Sequence, residues 1–182
     1  MIEAAGQLFT TKGYAATSVR GIVEESGAPW GSLHHYFPGG KEQIGLAAIE
    51  LGDRSVRDAI AHCLQQTASP QDAVALFFEL GARKLQASGY HEGCPVATIA
   101  LETASESAAL AAASARTFRA WRAMWAKAFR GAGLPAKRAR ELASILITNF
   151  EGALLLGRAW RSTEPLALAA ETLAALLEHE LG

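Results

Sequence analysis

Glycine and proline punctuate this chain at intervals that fit helices, with little but turns between them. Ile2 to Lys12 carries Ile2, Ala5, Leu8 and Phe9 at helical spacing and stops at Gly13. Thr17 reads as the N-cap of a short helix over 18–26, which Gly27 ends. Pro29 precedes a second short segment over 30–37, broken by Pro38-Gly39-Gly40. Lys41 then begins a long helix towards Thr67, with Ile44, Ala47, Ala48 and Leu51 on one stripe. Ser69-Pro70-Gln71-Asp72 has the order of an N-cap, a proline at the first helical position and a first-turn acid. That signature opens a helix reaching about residue 88. A loop and a short helix from Pro95 fill 90–104. Further helices are expected over about 107–131, 136–161 (opened by Pro135) and 165–181 (opened by Pro165). Nothing reads as a strand or an internal repeat, and 38 Ala and 22 Leu among 182 residues supply strong helix formers. The expected fold class is all-α, with about nine helices.

Charge and cysteine usage narrow the function classes. The 17 Lys and Arg against 18 Asp and Glu give a formal net charge of −1, which excludes a polycation that binds nucleic acid by bulk charge. An apolar fraction of 50% excludes a disordered chain. No run approaches the roughly 18 apolar residues of a membrane span, and no basic stretch precedes an apolar one at the amino terminus. Cys63 and Cys94 show no metal or disulfide spacing. The expectations are a cytoplasmic protein with no membrane partner, no metal and no cofactor. No nucleophile–base pair or metal cluster is legible, so an enzyme is not expected.

Residues 18–37 have the form helix, tight turn, helix. Val19, Ile22 and Val23 give the first helix an inward face, and Leu33 and Phe37 do so for the second. Both can pack near Leu8 and Phe9. The second helix then turns outward Trp30, Ser32, His34, His35 and Tyr36, side chains that can stack on sugars or meet base edges in a major groove. Pro29 opens that helix. Thr17 and Ser18 place hydroxyls at a helix amino terminus, where a phosphate is favoured. Lys41 brings an ammonium to the start of the next helix. The candidate DNA-binding set is Thr17, Ser18, Arg20, Pro29, Trp30, Ser32, His34, His35, Tyr36 and Lys41.

Phe9, Gly13-Tyr14, Thr17, Ile22, Gly27, Gly31-Ser32-Leu33, Tyr36-Phe37 and Lys41-Glu42 all fall in register with one pattern, and residues 2–50 strongly resemble the amino-terminal domain of the tetracycline-repressor (TetR) family. The resemblance implies a helix-turn-helix whose second helix enters the major groove. It also implies that the residues at Thr17, Arg20, His35, Tyr36 and Lys41 hold phosphates. Val23 stands where the family more often has alanine, and Trp30 and His34 where it has Lys or Thr and Tyr. Further on, Gly93-Cys94-Pro95-Val96-Ala97 followed by Leu101-Glu102 resembles the LmrA/YxaF-like subgroup.

The helix over 107–131 lines up Phe118, Trp121, Trp125 and Phe129, with Arg116, Arg119, Lys127 and Arg130 on the opposite face. The basic face reads as solvated. The aromatic stripe reads either as plain core or as the wall of a pocket, which Phe77, Phe78 and Phe150 would share. Glu151 is either a ligand's polar anchor or a satisfied buried acid. The candidate ligand-binding set is Phe77, Phe78, Phe118, Trp121, Trp125, Phe150 and Glu151. The helix over 136–161 is apolar almost all round from Leu142 to Leu156. The last helix carries a stripe through Leu166, Leu173 and Leu177. With Gly152, Ala153 and Gly157 permitting close approach, the two suggest a homodimer through a four-helix interface.

The division expected is a helix-turn-helix head over 1–45 and a ligand-binding and dimerisation body over 46–182. The function expected is a ligand-responsive regulator, a repressor that binds double-stranded palindromic operator DNA as a dimer and is released by a small, largely apolar effector. Two alternatives stay open: a helical carrier or adaptor without DNA binding, and a thiol- or metal-sensing regulator using Cys94, with His91 beside it.

Overall fold

The computed structural model describes residues 1–182; only the side chain of His34, one of the expected reading residues, lies outside the described residues. The helices are α1 (Ile2–Lys12), α2 (Val19–Ser26), α3 (Trp30–Tyr36), α4 (Gly40–Gln66), α5 (Pro70–Ala87), α6 (Pro95–Thr103), α7 (Ala108–Gly131), α8 (Ala136–Trp160) and α9 (Glu164–Leu181). No strand occurs among the described residues. The expected all-α fold is what forms.

The helix ends follow from local chemistry. Ser18 Oγ accepts the Gly21 N–H at 3.0 Å and caps α2, and Ser69 Oγ accepts the Asp72 N–H at 3.1 Å and caps α5. At α6 the cap is a sulfur: Cys94 Sγ accepts the Ala97 N–H at 3.4 Å, with Pro95 as the first helical residue. The α2 cap is therefore Ser18 and not Thr17. The Thr17 hydroxyl instead points inward, donating to the Gly13 carbonyl at 2.7 Å and the Leu8 carbonyl at 3.3 Å. It thereby ties the residue before α2 back to the last turn of α1 and its C-cap.

The chain divides into two compact units, residues 1–55 with 93–117 and residues 56–92 with 118–182. The boundaries fall within α4 and α7. The core of the first unit holds Ala5, Leu8, Phe9, Ile22, Val23, Leu33, Ile44, Val96, Ile99 and Leu110. Within it α1 packs on both α2 and α6.

The second unit is organised by α5, α8 and α9, which pack pairwise. Its core contains Phe77, Phe78, Trp121, Trp125, Phe129, Leu142, Leu146, Leu173 and Leu177. Two glycines allow close approach. A Cβ on Gly81 would stand 2.7 Å from the Phe150 ring, and one on Gly157 would stand 2.7 Å from Leu85 Cδ2 and 2.9 Å from the Ser162 carbonyl oxygen. Arg138 ties α8 to α9 through its guanidinium, with Nε 2.9 Å from Glu180 Oε1 and Nη1 3.2 Å from Glu141 Oε2. The hydrogen bonds from Arg138 hold the Glu180 carboxyl below its ordinary range. By length and composition alone α8 could cross a membrane. Here it instead buries Leu142, Leu146, Phe150, Ala153 and Gly157, among others, and packs on α5 and α9.

Gly157→Ala must displace backbone as well as a leucine methyl. It is expected to cost about 1–3 kcal/mol, or about 3–10 °C in Tm. Gly131→Ala, with nothing within 4 Å of the added carbon, should change stability by no more than about 0.5 kcal/mol. Thermal unfolding of both variants checks the contrast. Ser18→Ala removes the α2 cap at a cost of about 1 kcal/mol, read as lost hydrogen-exchange protection at the Gly21 amide.

Candidate nucleic-acid interface and aromatic core

Gly27 ends α2 at φ +63°, its N–H reaching the Glu24 carbonyl at 3.3 Å. A β-carbon is strained in that left-handed conformation, so glycine sets the turn. Pro29, in extended conformation, then starts α3. Burial of Ile22, Val23 and Leu33 fixes which side of α3 faces inward. His35 lies opposite Leu33, while Trp30 (51% exposed) and Tyr36 (65% exposed) flank Leu33 one turn away and still reach solvent. The His35 and Tyr36 rings meet edge to face at 4.8 Å, so Tyr36 is held with its ring outward. Large exposed aromatics on a short outward helix are costly unless something covers them.

The remaining expected reading residues fall into two groups. Ser18 and Pro29 are exposed, and Ser32 donates its hydroxyl to the Pro29 carbonyl. Arg20 is exposed but paired, its Nε 2.7 Å from Glu24 Oε1, and that hydrogen bond raises its pKa. A phosphate would have to share or displace Glu24. Thr17, by contrast, is buried, and its hydroxyl is already engaged with Leu8 and Gly13. Its place in the fold is to hold the turn between α1 and α2.

Lys41 joins that same turn. Its Nζ donates to the Ala15 carbonyl at 3.2 Å and sits 4.4 Å from the centroid of the Tyr14 ring. Partial burial lowers the Lys41 pKa, and the negative charge of Glu102 partly offsets this. Sequence reasoning missed the partners around it. Gln43 clasps the α3–α4 turn, Oε1 accepting the Gly39 N–H at 2.9 Å and Nε2 donating to the Tyr36 carbonyl at 3.3 Å. A glutamine in the first turn of a helix that follows a glycine pair was the available signal. Glu102, which accepts the Ala15 N–H at 2.7 Å, had none beyond its place in the Gly93–Glu102 motif.

In the second unit the structure gathers Phe77, Phe78, Trp125 and Phe150 into one cluster. Phe77 lies 4.4 Å from Phe150 and 5.5 Å from Trp125, and Phe78 lies 5.2 Å from Phe150. Phe129 extends it, 5.9 Å from Trp125. Phe118 and Trp121 form a separate edge-to-face pair at 5.3 Å. Glu151 is half-buried on α8. The cluster is closed by its own rings, yet the Trp125 indole N–H is fully buried with no hydrogen-bond partner among the described residues. That costs free energy unless a bound group accepts it. A cleft of about 620 Å³ opens elsewhere in the unit, between the ends of α4 and α7 and the start of α5, and was not expected from the sequence.

The comparisons with known proteins agree with this arrangement. Residues 1–48 match the model described as bacterial regulatory proteins, tetR family, and residues 70–172 match the C-terminal domain of the LmrA/YxaF-like transcriptional regulators. The HTH-type transcriptional regulator YxaF of Bacillus subtilis is 32% identical over 99% of this chain and 94% of its own. A crystal structure of regulatory protein TetR from Rhodobacter sphaeroides superposes with a TM-score of 0.87 at 27% identity, covering 96% of this chain and 95% of that one. The fold is shared by CifR, a TetR-family regulator solved on a 26-bp double-strand operator DNA, at TM-score 0.81 and 19% identity over 96% of this chain and 93% of that one. The outward face of α3, the glycine turn before it and the α6 motif thus sit in a chain that belongs to the TetR family of DNA-binding transcriptional regulators, with an LmrA/YxaF-like C-terminal domain.

Proposed function

We propose that this regulator acts in the cytoplasm as a homodimeric repressor of a palindromic operator and is released by a small, largely apolar effector. The observation that carries the reading is the outward face of α3, where Trp30, His35 and Tyr36 stand exposed on a helix fixed by Leu33. A helix so held fits a major groove, and the candidate residues from Ser18 to Lys41 supply the phosphate and base contacts. Here Thr17 would act by holding the turn, and Lys41 by offering its remaining N–H donors.

Dimerisation accounts for apolar surface that the single chain leaves in water. Ile145, Leu155, Leu156 and Trp160 on α8, and Leu168 on α9, are large and exposed. On α8 they recur at helical spacing around Gly152, giving a stripe that a second copy of α8 and α9 can cover. Two reading helices would then meet half-sites about 34–36 Å apart or slightly more. The division is functional: residues 1–45 read DNA, and 46–182 carry the effector and dimer surfaces.

The effector site is assigned to Phe77, Phe78, Phe118, Trp121, Trp125, Phe150 and Glu151. The unpartnered Trp125 N–H supports a ligand that is mostly apolar but carries one hydrogen-bond acceptor. Release from DNA requires only that the ligand prefer the state in which the heads do not match the operator.

Selection of duplexes from a random library should return a palindrome, bound with at least about 1,000-fold preference over unrelated DNA. Recovery of no preferred sequence would overturn the reading. Residues 1–50 hold only Lys12, Arg20 and Lys41 as basic side chains, so a dimer has six head cations to release counterions. The slope of log K against log salt should be no steeper than about −5. Tyr36→Ala should weaken binding without lowering Tm. Leu155→Glu should leave helicity intact, give a monomer by sedimentation, and reduce operator affinity by more than about 10-fold.

A further inference from the structure

Glu102 closes a grip on the reading head from outside the head's own sequence. It lies in the last turn of α6, and its carboxylate crosses to the turn between α1 and α2, joining residues 87 positions apart. Oε2 accepts the Ala15 N–H at 2.7 Å. Oε1 occupies the space where a side chain on Gly13 would begin, 2.6 Å from that carbon's ideal place. Gly13, at φ +91°, is therefore glycine both for its backbone and for the carboxylate beside it. On the other side of the same residue, the Ala15 carbonyl accepts from Lys41 Nζ at 3.2 Å. An anion from α6 and a cation from α4 thus hold the N–H and the C=O of one exposed residue. Both bonds are charge-assisted and directional, so each fixes position more tightly than a neutral one.

The rest of the Gly93–Glu102 motif explains how the carboxylate arrives there. Cys94 and Pro95 fix where α6 starts, and residue 102 follows about two turns later. Val96 and Ile99 are fully buried, and a Cβ on Gly52 would stand 3.0 Å from Pro95 and 3.3 Å from Val96. Glycine at 52 thus lets α6 seat directly on α4. A second tie, Ser107 Oγ donating to Glu42 Oε2 at 2.6 Å, fastens the start of α7 beside Lys41 without touching the Ala15 turn.

We infer that Glu102 is a positioning residue for operator binding: it fixes the α1–α2 turn and, through the Ala15 peptide, the place of the Lys41 ammonium at the DNA face. The inference rests on the DNA-binding reading above. The role belongs to α6, a helix that lies outside the helix-turn-helix.

The test uses the full chain and the duplex selected with the wild-type protein. Glu102→Ala should weaken operator binding about 10-fold in a fluorescence anisotropy titration, and the Ala15 amide should lose hydrogen-exchange protection with or without DNA. Glu102→Gln keeps an oxygen acceptor, so it should restore Ala15 protection and bring affinity to within about threefold of wild type. Ser107→Ala, which breaks the neighbouring tie, should leave both readings unchanged. Two results would overturn the inference. One is a folded Glu102→Ala protein that binds the duplex within twofold of wild type. The other is an equal loss of affinity in all three variants that follows their fall in Tm while the Ala15 amide stays protected. If the wild-type chain selects no duplex, the DNA-binding reading falls and takes the inference with it. Loss of Ala15 protection in Glu102→Ala, read without DNA, tells that case from a failed grip.

Discussion

A helix of seven residues has no stability of its own, and α3 is that long. Isolated helices become marginal only at roughly 12–15 residues, so α3 exists because its surroundings hold it. Leu33 anchors it in the core of the first unit, in which Ile22, Val23 and Phe9 are also buried. Gln43 satisfies both the Tyr36 carbonyl at its end and the Gly39 N–H beyond it. Thr17 ties the preceding turn to α1. The exposed residues of α3 can be chosen for a partner because its main anchor, Leu33, lies on the buried side. A reading head that drew stability from its reading face could not change specificity without unfolding.

Most of the fold was legible because its signals are local. A serine cap, a proline at the first helical position and a left-handed glycine each act within a few residues, and α5 and α6 start where those signals placed them. The cap of α2 slipped by one residue because Thr17 and Ser18 can both cap a helix in isolation; the Thr17 hydroxyl is instead taken by the Gly13 and Leu8 carbonyls, which only the folded chain presents. The outward face of α3 was legible for the same reason as its inward face, since burial of Leu33 decides both. The grip on Ala15 was not legible. It joins a carboxylate and an amide 87 residues apart, and no periodicity encodes such a pair.

The aromatic stripe shows where residue type alone leaves two readings open. Phe77, Phe78, Trp125 and Phe150 do converge, as a shared site requires, but they converge on one another. Rings in edge-to-face contact make good core and good pocket wall with the same geometry. What separates the two readings is a polar atom. Packing alone has no use for a polar atom there, and the Trp125 indole N–H, buried with no partner among the described residues, lowers stability; it is the atom on which the proposed effector site rests.

Charge distribution ties the reading head to the proposed dimer. Eight of the 17 basic side chains and none of the 18 acids lie between Arg116 and Arg140, while the first 50 residues carry five acids and three bases. Of those three, Arg20 is paired to Glu24 and Lys41 spends one donor on Ala15. A single head therefore has little electrostatic hold on a duplex, since that hold grows with the number of phosphates neutralised. Two weak heads joined in one dimer behave differently. Once the first is seated, the second binds at an effective concentration set by their spacing, and affinity rises without further charge. Discrimination rises with it, because only a site with both half-sites at the right separation gains the second event. A nearly neutral head thus makes the apolar stripe on α8 part of the reading apparatus in the proposed dimer, although it touches no DNA.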